Sequence, residues 1–283
     1  MKRATRFVTG AAALMVTATM TFAQNAWETI PDPAPLPEPA VSGMVATADH
    51  EKVYFEVHGT TGDWLVFLHG GTGSALSWGN QVPAFAGDHR VLMIESQGHG
   101  RSTWNGEPLH YERMADDVVA VMDALGIATA PIVGWSDGGN IAMIMGYRYP
   151  DKVARFVTFG SNADTDAYDM ENLSKPPYTI ESNQSEMAYR SLSPTPEKWE
   201  SFSAAVYKMW TDEPHMLDEL QNIQAPALIA VGQYDAISVK HSQDIVDRIP
   251  GAKLAVMPDA SHFMPIQAPE AFNAMVLEFL ASN

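Results

Sequence analysis

The 283-residue sequence predicts an α/β fold, a mainly parallel sheet with helices on both faces and an inserted cap. Two observations carry that prediction. Short apolar strands alternate with helical patterns along most of the chain, the arrangement that builds a parallel sheet covered on both sides. Between the apolar run 130–133 and an apolar helical pattern over 140–149 stands Gly134-Trp135-Ser136-Asp137-Gly138, a G-x-S-x-G serine on a strand-to-helix turn.

Taken in order, residues 1–23 read as a secretory signal peptide. Lys2, Arg3 and Arg6 precede a small, apolar stretch, and Thr21-Phe22-Ala23 offers a small-x-small cleavage site. Thr9, Gly10, Thr17 and Thr19 interrupt that stretch, leaving it short of the ~20 apolar residues needed to span a bilayer. A periplasmic or secreted protein, with no membrane anchor after cleavage, is expected. Residues 24–46 carry Pro31, Pro33, Pro35, Pro37 and Pro39, which forbid a helix, so this segment is expected as an extended Pro-rich linker or a strap on the surface.

From residue 47 to 283 the alternation takes over. Strands are expected at 52–57, 64–68, 90–94, 130–133, 153–159, 227–231 and 253–256. Tyr111, Met114, Val118, Met122 and Leu125 fall at helical spacing, with Gly126 as the stop. Further helices are expected after Ser136 up to Pro150, around 242–248 and over 269–280. Residues 161–225 break the pattern, with Pro176-Pro177, Pro194 and Pro196 and then apparent helices at 197–210 and 216–223. An insertion of that length between core strands predicts a cap over the active site. Tyr178, Met187, Trp199, Phe202, Tyr207, Met209 and Trp210 are available to line a pocket, although helical spacing of apolar residues predicts burial before ligand contact.

Composition narrows the function. The formal charge is −17, and about −20 once the three cations of the leader are removed. Such a field repels nucleic acid and anionic membranes. There is no cysteine, hence no disulfide, thiol nucleophile or thiolate metal site. No His-Glu-x-x-His or comparable metal-ligand spacing, no phosphate-loop lysine and no dinucleotide fingerprint is present, so neither a metal nor a cofactor is expected.

The turn serine is the candidate nucleophile, with an ordinary helix-capping serine as the competing reading. It needs a base and a carboxylate to orient that base. Asp235 follows the strand at 227–231, and His262 follows the strand at 253–256, giving the order Ser, Asp, His. None of the other histidines follows the last core strand, and Asp259 is too near His262 in sequence to be preferred as the acid. The oxyanion donors are expected at the backbone N–H of Asp137 and at Gly71 in the His69-Gly70-Gly71-Thr72-Gly73 loop. Asp137, Trp135 and Trp210 are the candidate substrate contacts. The Asp137 carboxylate either pairs with a substrate ammonium or simply complements the helix N-terminus.

His69-Gly70-Gly71, Ser96-Gln97-Gly98-His99-Gly100-Arg101-Ser102, Gly134-Trp135-Ser136-Asp137-Gly138-Gly139, Gly232-Gln233-Tyr234-Asp235 and Ser261-His262 together resemble the α/β-hydrolase family, from about residue 47 to the C-terminus. Gly-Trp-Ser-Asp-Gly-Gly, followed by Gly-Ser-Asn-Ala at 160–163, is similar to the valacyclovir hydrolase (biphenyl hydrolase-like) branch. The resemblance implies a serine esterase: attack by Ser136 on a small-molecule ester or lactone, an acyl-enzyme, and release by water activated through His262. Ser96 stands where many members carry aspartate, and the 96–102 loop reads as structural. A serine nucleophile disfavours dehalogenase and epoxide hydrolase chemistry. Amidase or peptidase, cofactor-free haloperoxidase and carbon–carbon hydrolase activities share the triad, and a non-catalytic ligand-binding scaffold is the alternative of another class.

Overall fold

The computed structural model describes residues 25–48 and 51–282. The expected signal peptide, 1–23, lies outside the described residues. Among the described residues there are eight strands, β1 (Val41–Ala46), β2 (Lys52–His58), β3 (Asp63–Leu68), β4 (His89–Glu95), β5 (Ala130–Trp135), β6 (Val153–Phe159), β7 (Ala227–Tyr234) and β8 (Lys253–Ser261). They form one sheet in the order β1-β2-β4-β3-β5-β6-β7-β8. β1, β2 and β4 pair antiparallel, and from β4 through β8 every pairing is parallel. The carboxyl ends of the parallel strands therefore share one edge, where the loops that carry function collect.

The helices are α1 (Val82–Phe85), α2 (Tyr111–Ala124), α3 (Asp137–Arg148), α4 (Met170–Leu173), α5 (Gln184–Leu192), α6 (Trp199–Asp212), α7 (Val239–Val246), α8 (Met264–Gln267) and α9 (Pro269–Ala281). Side-chain alternation along the strands builds two cores. In β3, Val66 and Leu68 join the cluster under α2 and α3, whereas Leu65 and Phe67 join Trp78, Phe85, Phe272 and Val276 on the other face. α3 is buried on every side from Asp137 to Gly146, as befits a helix wedged between the sheet and α2. α9 ends at the edge opposite those loops. There Arg155, near the start of β6, donates to the carbonyls of Phe279 and Ser282 at 3.0 and 2.5 Å.

Three expectations are corrected. The Pro-rich segment does not run unpaired to Ala46: β1 occupies Val41–Ala46 and pairs with β2, so the sheet begins before residue 47. The preceding residues lie extended along the surface as a strap, with Ala34 N–H donating to Asn80 Oδ1 at 3.2 Å. The insertion after β6 contains α5, which no apolar periodicity announced because Tyr189 is its only buried residue. The second cap helix expected at 216–223 is a single 3-10 turn, Leu220–Asn222.

Candidate active site

Ser136 occupies the single residue between β5 and α3, with φ 54° and ψ −118°, a left-sided backbone conformation that costs a side-chain-bearing residue of order 1–3 kcal/mol. The surroundings hold it there. Its N–H donates to Phe159 O at 2.8 Å, and its carbonyl accepts from Gly139 N, Asn140 N and Ser161 Oγ. The turn closes tightly enough that a Cβ on Gly138 would lie 2.0 Å from Leu68 O, so only glycine fits. The Ser136 side chain makes no capping hydrogen bond to the helix it precedes.

Asp235 follows β7 and is fully buried. Its Oδ1 accepts from Ile237 N at 3.0 Å and from His262 Nδ1 at 2.7 Å. With Nδ1 as donor, Nε2 of His262 is left as the basic nitrogen. Gly160, at the end of β6 with φ +61°, makes room for the pair: a Cβ there would stand 2.6 Å from His262 Nδ1 and 2.9 Å from Asp235 Oδ2. Burial works against protonation of His262, but the charge and hydrogen bond of Asp235, joined by the charge of Asp137, raise its pKa above 6.5. The His262 main chain is gripped twice. Its N–H donates to Tyr178 Oη at 3.0 Å, and its carbonyl accepts from Trp135 Nε1 at 2.8 Å.

That last bond corrects an expectation. Trp135 is not a substrate contact: its ring lies in the core on the α9 face with Trp78 and Phe263, and its indole supports His262 from below. Trp210 and Asp137, by contrast, meet beside Ser136. Trp210 Nε1 donates to both oxygens of Asp137, at 3.0 and 2.9 Å, and Tyr111 Oη donates to Oδ1 at 2.9 Å. Burial nonetheless raises the Asp137 pKa, with the two donors pulling the other way. Of the cap side chains offered for lining, Phe202 and Met209 are core residues, whereas Met187 and Tyr207 are exposed.

The loop of residues 69–73, expected to supply an oxyanion donor, abuts Ser136. A Cβ on Gly70 would lie 3.9 Å from Ser136 Oγ, and one on Gly71 would lie 2.5 Å from Asp137 Oδ2, so the two expected donor positions are neighbours. The N–H of Asp137 opens α3, where no carbonyl one turn earlier in the helix can accept it. His69 rigidifies the loop: Nδ1 donates to Gly70 O at 2.7 Å while Nε2 accepts from Ser96 N at 3.1 Å. Burial depresses His69 to about 4 and His99 to about 3, so both stay neutral. The loop after β4 is structural, as expected. Glu95, pushed up to about 7 by burial against the pull of Arg101, accepts from Ala75 N, Arg101 N and Arg101 Nη1 and so ties that loop to the oxyanion loop.

Sequence reasoning missed the contacts of Tyr111 and Gly160, and it offered Tyr178 as a pocket-lining side chain rather than as the acceptor of the His262 N–H. Tyr111 sat at helical spacing and read as core. Gly160 was visible only as part of Gly-Ser-Asn-Ala, where a glycine directly after a buried strand is the signal of a close approach.

Residues 63–183 match the family described as the alpha/beta hydrolase fold. A putative carbamate hydrolase, RutD of Caulobacter sp. strain K31, is 27% identical over 263 residues, covering 82% of this chain and 97% of its own. The human serine hydrolase BPHL is 29% identical over 192 residues, covering 65% of this chain and 66% of its own. Among solved structures, Est816, described as an N-acyl homoserine lactone degrading enzyme, aligns with a TM-score of 0.67 at 28% identity, over 84% of this chain and all of that one. Sheet order, the serine turn and these likenesses agree: the chain has the α/β-hydrolase fold, is similar to α/β hydrolases over most of its length, and is a hydrolase.

Proposed function

We propose that the protein is a serine hydrolase of uncharged carboxylic esters or lactones, working through an acyl-enzyme. Ser136 attacks the carbonyl carbon while His262 Nε2 takes its proton, and Asp235 orients the ring and stabilises the imidazolium. The N–H groups of Gly71 and Asp137 receive the developing oxyanion. His262 then returns the proton to the departing alkoxide, and water, deprotonated by the same nitrogen, releases the acid and regenerates Ser136. The observation that carries this reading is the 2.7 Å bond from His262 Nδ1 to buried Asp235 in a fold whose serine turn adopts φ 54°. The lactone-degrading neighbour and the human serine hydrolase support it. Preference for uncharged substrates rests on Asp137, whose two oxygens already accept three donor contacts, so a substrate ammonium would have to displace Trp210. Export to the periplasm or medium belongs to the same proposal and rests on the sequence of residues 1–23.

The test is turnover of p-nitrophenyl esters, aminoacyl esters, N-acyl homoserine lactones and anilides by the purified protein and by Ser136→Ala. Ester or lactone turnover abolished in Ser136→Ala supports the reading. Equal turnover in the mutant, or exclusive anilide cleavage, overturns it.

A further inference from the structure

We propose that the N-terminal strap, from Trp27 to Asp32, is a positioning element of the catalytic pair: it holds in register the two loops that carry Asp235 and His262. The proposal rests on the serine hydrolase reading above.

The strap does not act as core. Its one 3-10 turn, Ala26–Glu28, contains no buried residue. Its contacts converge instead on the residues that immediately precede the acid and the base. The Trp27 ring stacks on Tyr234, with centroids 3.9 Å apart and planes 20° apart, and Tyr234 precedes Asp235. Gln267 of α8 donates from Nε2 to the carbonyls of Trp27, at 3.2 Å, and Thr29. Its Oε1 accepts from Ser261 Oγ at 2.9 Å, and Ser261 precedes His262.

The sheet leaves this place under-determined. β7 and β8 pair regularly up to Gly232, then slip through a bulge before Tyr234 meets Ser261. A bulge breaks the ladder that would otherwise fix the relative height of the two strand ends. The strap bridges those two residues from outside, stacking on one and reaching the other through Gln267. It is itself anchored away from the bulge, where Gln184 of α5 donates from Nε2 to Asp32 Oδ1 at 2.8 Å and Ala34 N–H donates to Asn80. The strap thus ties cap, acid loop and base loop together, and loss of the Trp27 stack frees the pair to drift.

The experiment measures the rate of fluorophosphonate labelling of Ser136 from pH 5 to 9 in the purified protein, Trp27→Ala, Gln267→Leu and Trp27→Phe, with thermal unfolding recorded alongside. The charged groups that act on His262 are Asp235 and Asp137, and neither is altered. Trp27→Ala and Gln267→Leu are expected to label about tenfold more slowly, the scale of a sub-ångström misplacement of a reacting group. Their labelling midpoint moves down toward 6.5 as the Asp235 contact loosens, and Trp27→Phe stays within about twofold of the parent. Unchanged rate and midpoint, whatever happens to Tm, overturn the proposal. Absence of labelling in the parent overturns the serine hydrolase reading instead. The strap is then judged by the low-field NMR signal of the His262 Nδ1 proton, which must weaken in Trp27→Ala if the inference stands and is unaltered if it fails.

Discussion

The indole N–H of Trp210 reaches both carboxylate oxygens of Asp137, 3.0 and 2.9 Å away, so a cap helix is fastened to the residue that follows Ser136. Trp210→Phe keeps the ring and removes the donor, and a hydrogen bond to an ionised acceptor is worth roughly 1.5–3 kcal/mol. The expected result is a kcat/KM about tenfold lower for uncharged esters, because the contact seats the cap, and a smaller loss for aminoacyl esters, because the Asp137 carboxylate is no longer occupied by the indole. Asp137→Asn should instead slow both substrate kinds by one factor. A loss confined to aminoacyl esters contradicts this and returns Asp137 to the role of an ammonium site.

The proposed mechanism uses neutral His262 as the base, while Asp235 and Asp137 favour its protonated form more than burial opposes it. As pH falls through the raised pKa the base is lost, so the acid limb of kcat/KM is expected to have its midpoint above 6.5. Asp235→Asn removes the orienting charge and is expected to reduce kcat by about 10⁴-fold, the scale found when a triad acid is neutralised. A pH–rate profile of the parent with a midpoint at or below 6.5 would show that the charges do not act as described.

Gly160→Ala should harm activity far more than the gain of one methyl group suggests. The new methyl group would sit 2.6 Å from His262 Nδ1 at a backbone angle of +61°, forcing the imidazole away from Asp235. A fall in kcat of about 100-fold is expected, since misplacement of a reacting group by an ångström costs that much. The check is steady-state kinetics beside a thermal melt: a folded variant with normal kcat removes the steric argument.

His99 predicts a pH effect on stability rather than rate. It is buried and neutral with its pKa depressed to about 3, whereas the unfolded chain protonates near 6.5, so the native state binds fewer protons between those limits. Stability therefore falls as pH drops through that window, by about 1.4 kcal/mol per unit for this one group. His99→Phe should remove that contribution. Urea unfolding of both proteins at pH 6 and pH 5 will read it, and an unaltered slope would mean that His99 is protonated in the native state.

The parts of the fold legible in the sequence are those buried on both sides. β3, β5 and β6 read as continuous apolar runs because helices cover both faces, and α2 read cleanly because Met114, Val118 and Met122 share one stripe. β1 was invisible for the opposite reason. It is an exposed edge whose pairing supplies backbone bonds but little burial, so prolines before it dominated the signal. Asp235 and His262 were legible from chain order, because parallel strands deliver their following loops to one edge. Trp135 was misread although alternation held the answer. Two residues after Val133, it shares that residue's face and so belongs to the α9 side. The strap contacts, Trp27 on Tyr234 and Gln267 on Thr29, join residues more than 200 positions apart and leave no periodic trace.

The grip of Arg155 on the carbonyls of Phe279 and Ser282 puts the C-terminal helix end at the edge of the sheet remote from Ser136, while Trp27 lies against the loops bearing Asp235 and His262. The two ends of the described chain are therefore not equivalent handles. An affinity tag or surface attachment beyond Ser282 points away from arriving substrate, whereas a fused protein just ahead of Trp27 crowds the mouth of the site. Preparations that differ only in which end carries the tag should differ in specific activity for that reason alone.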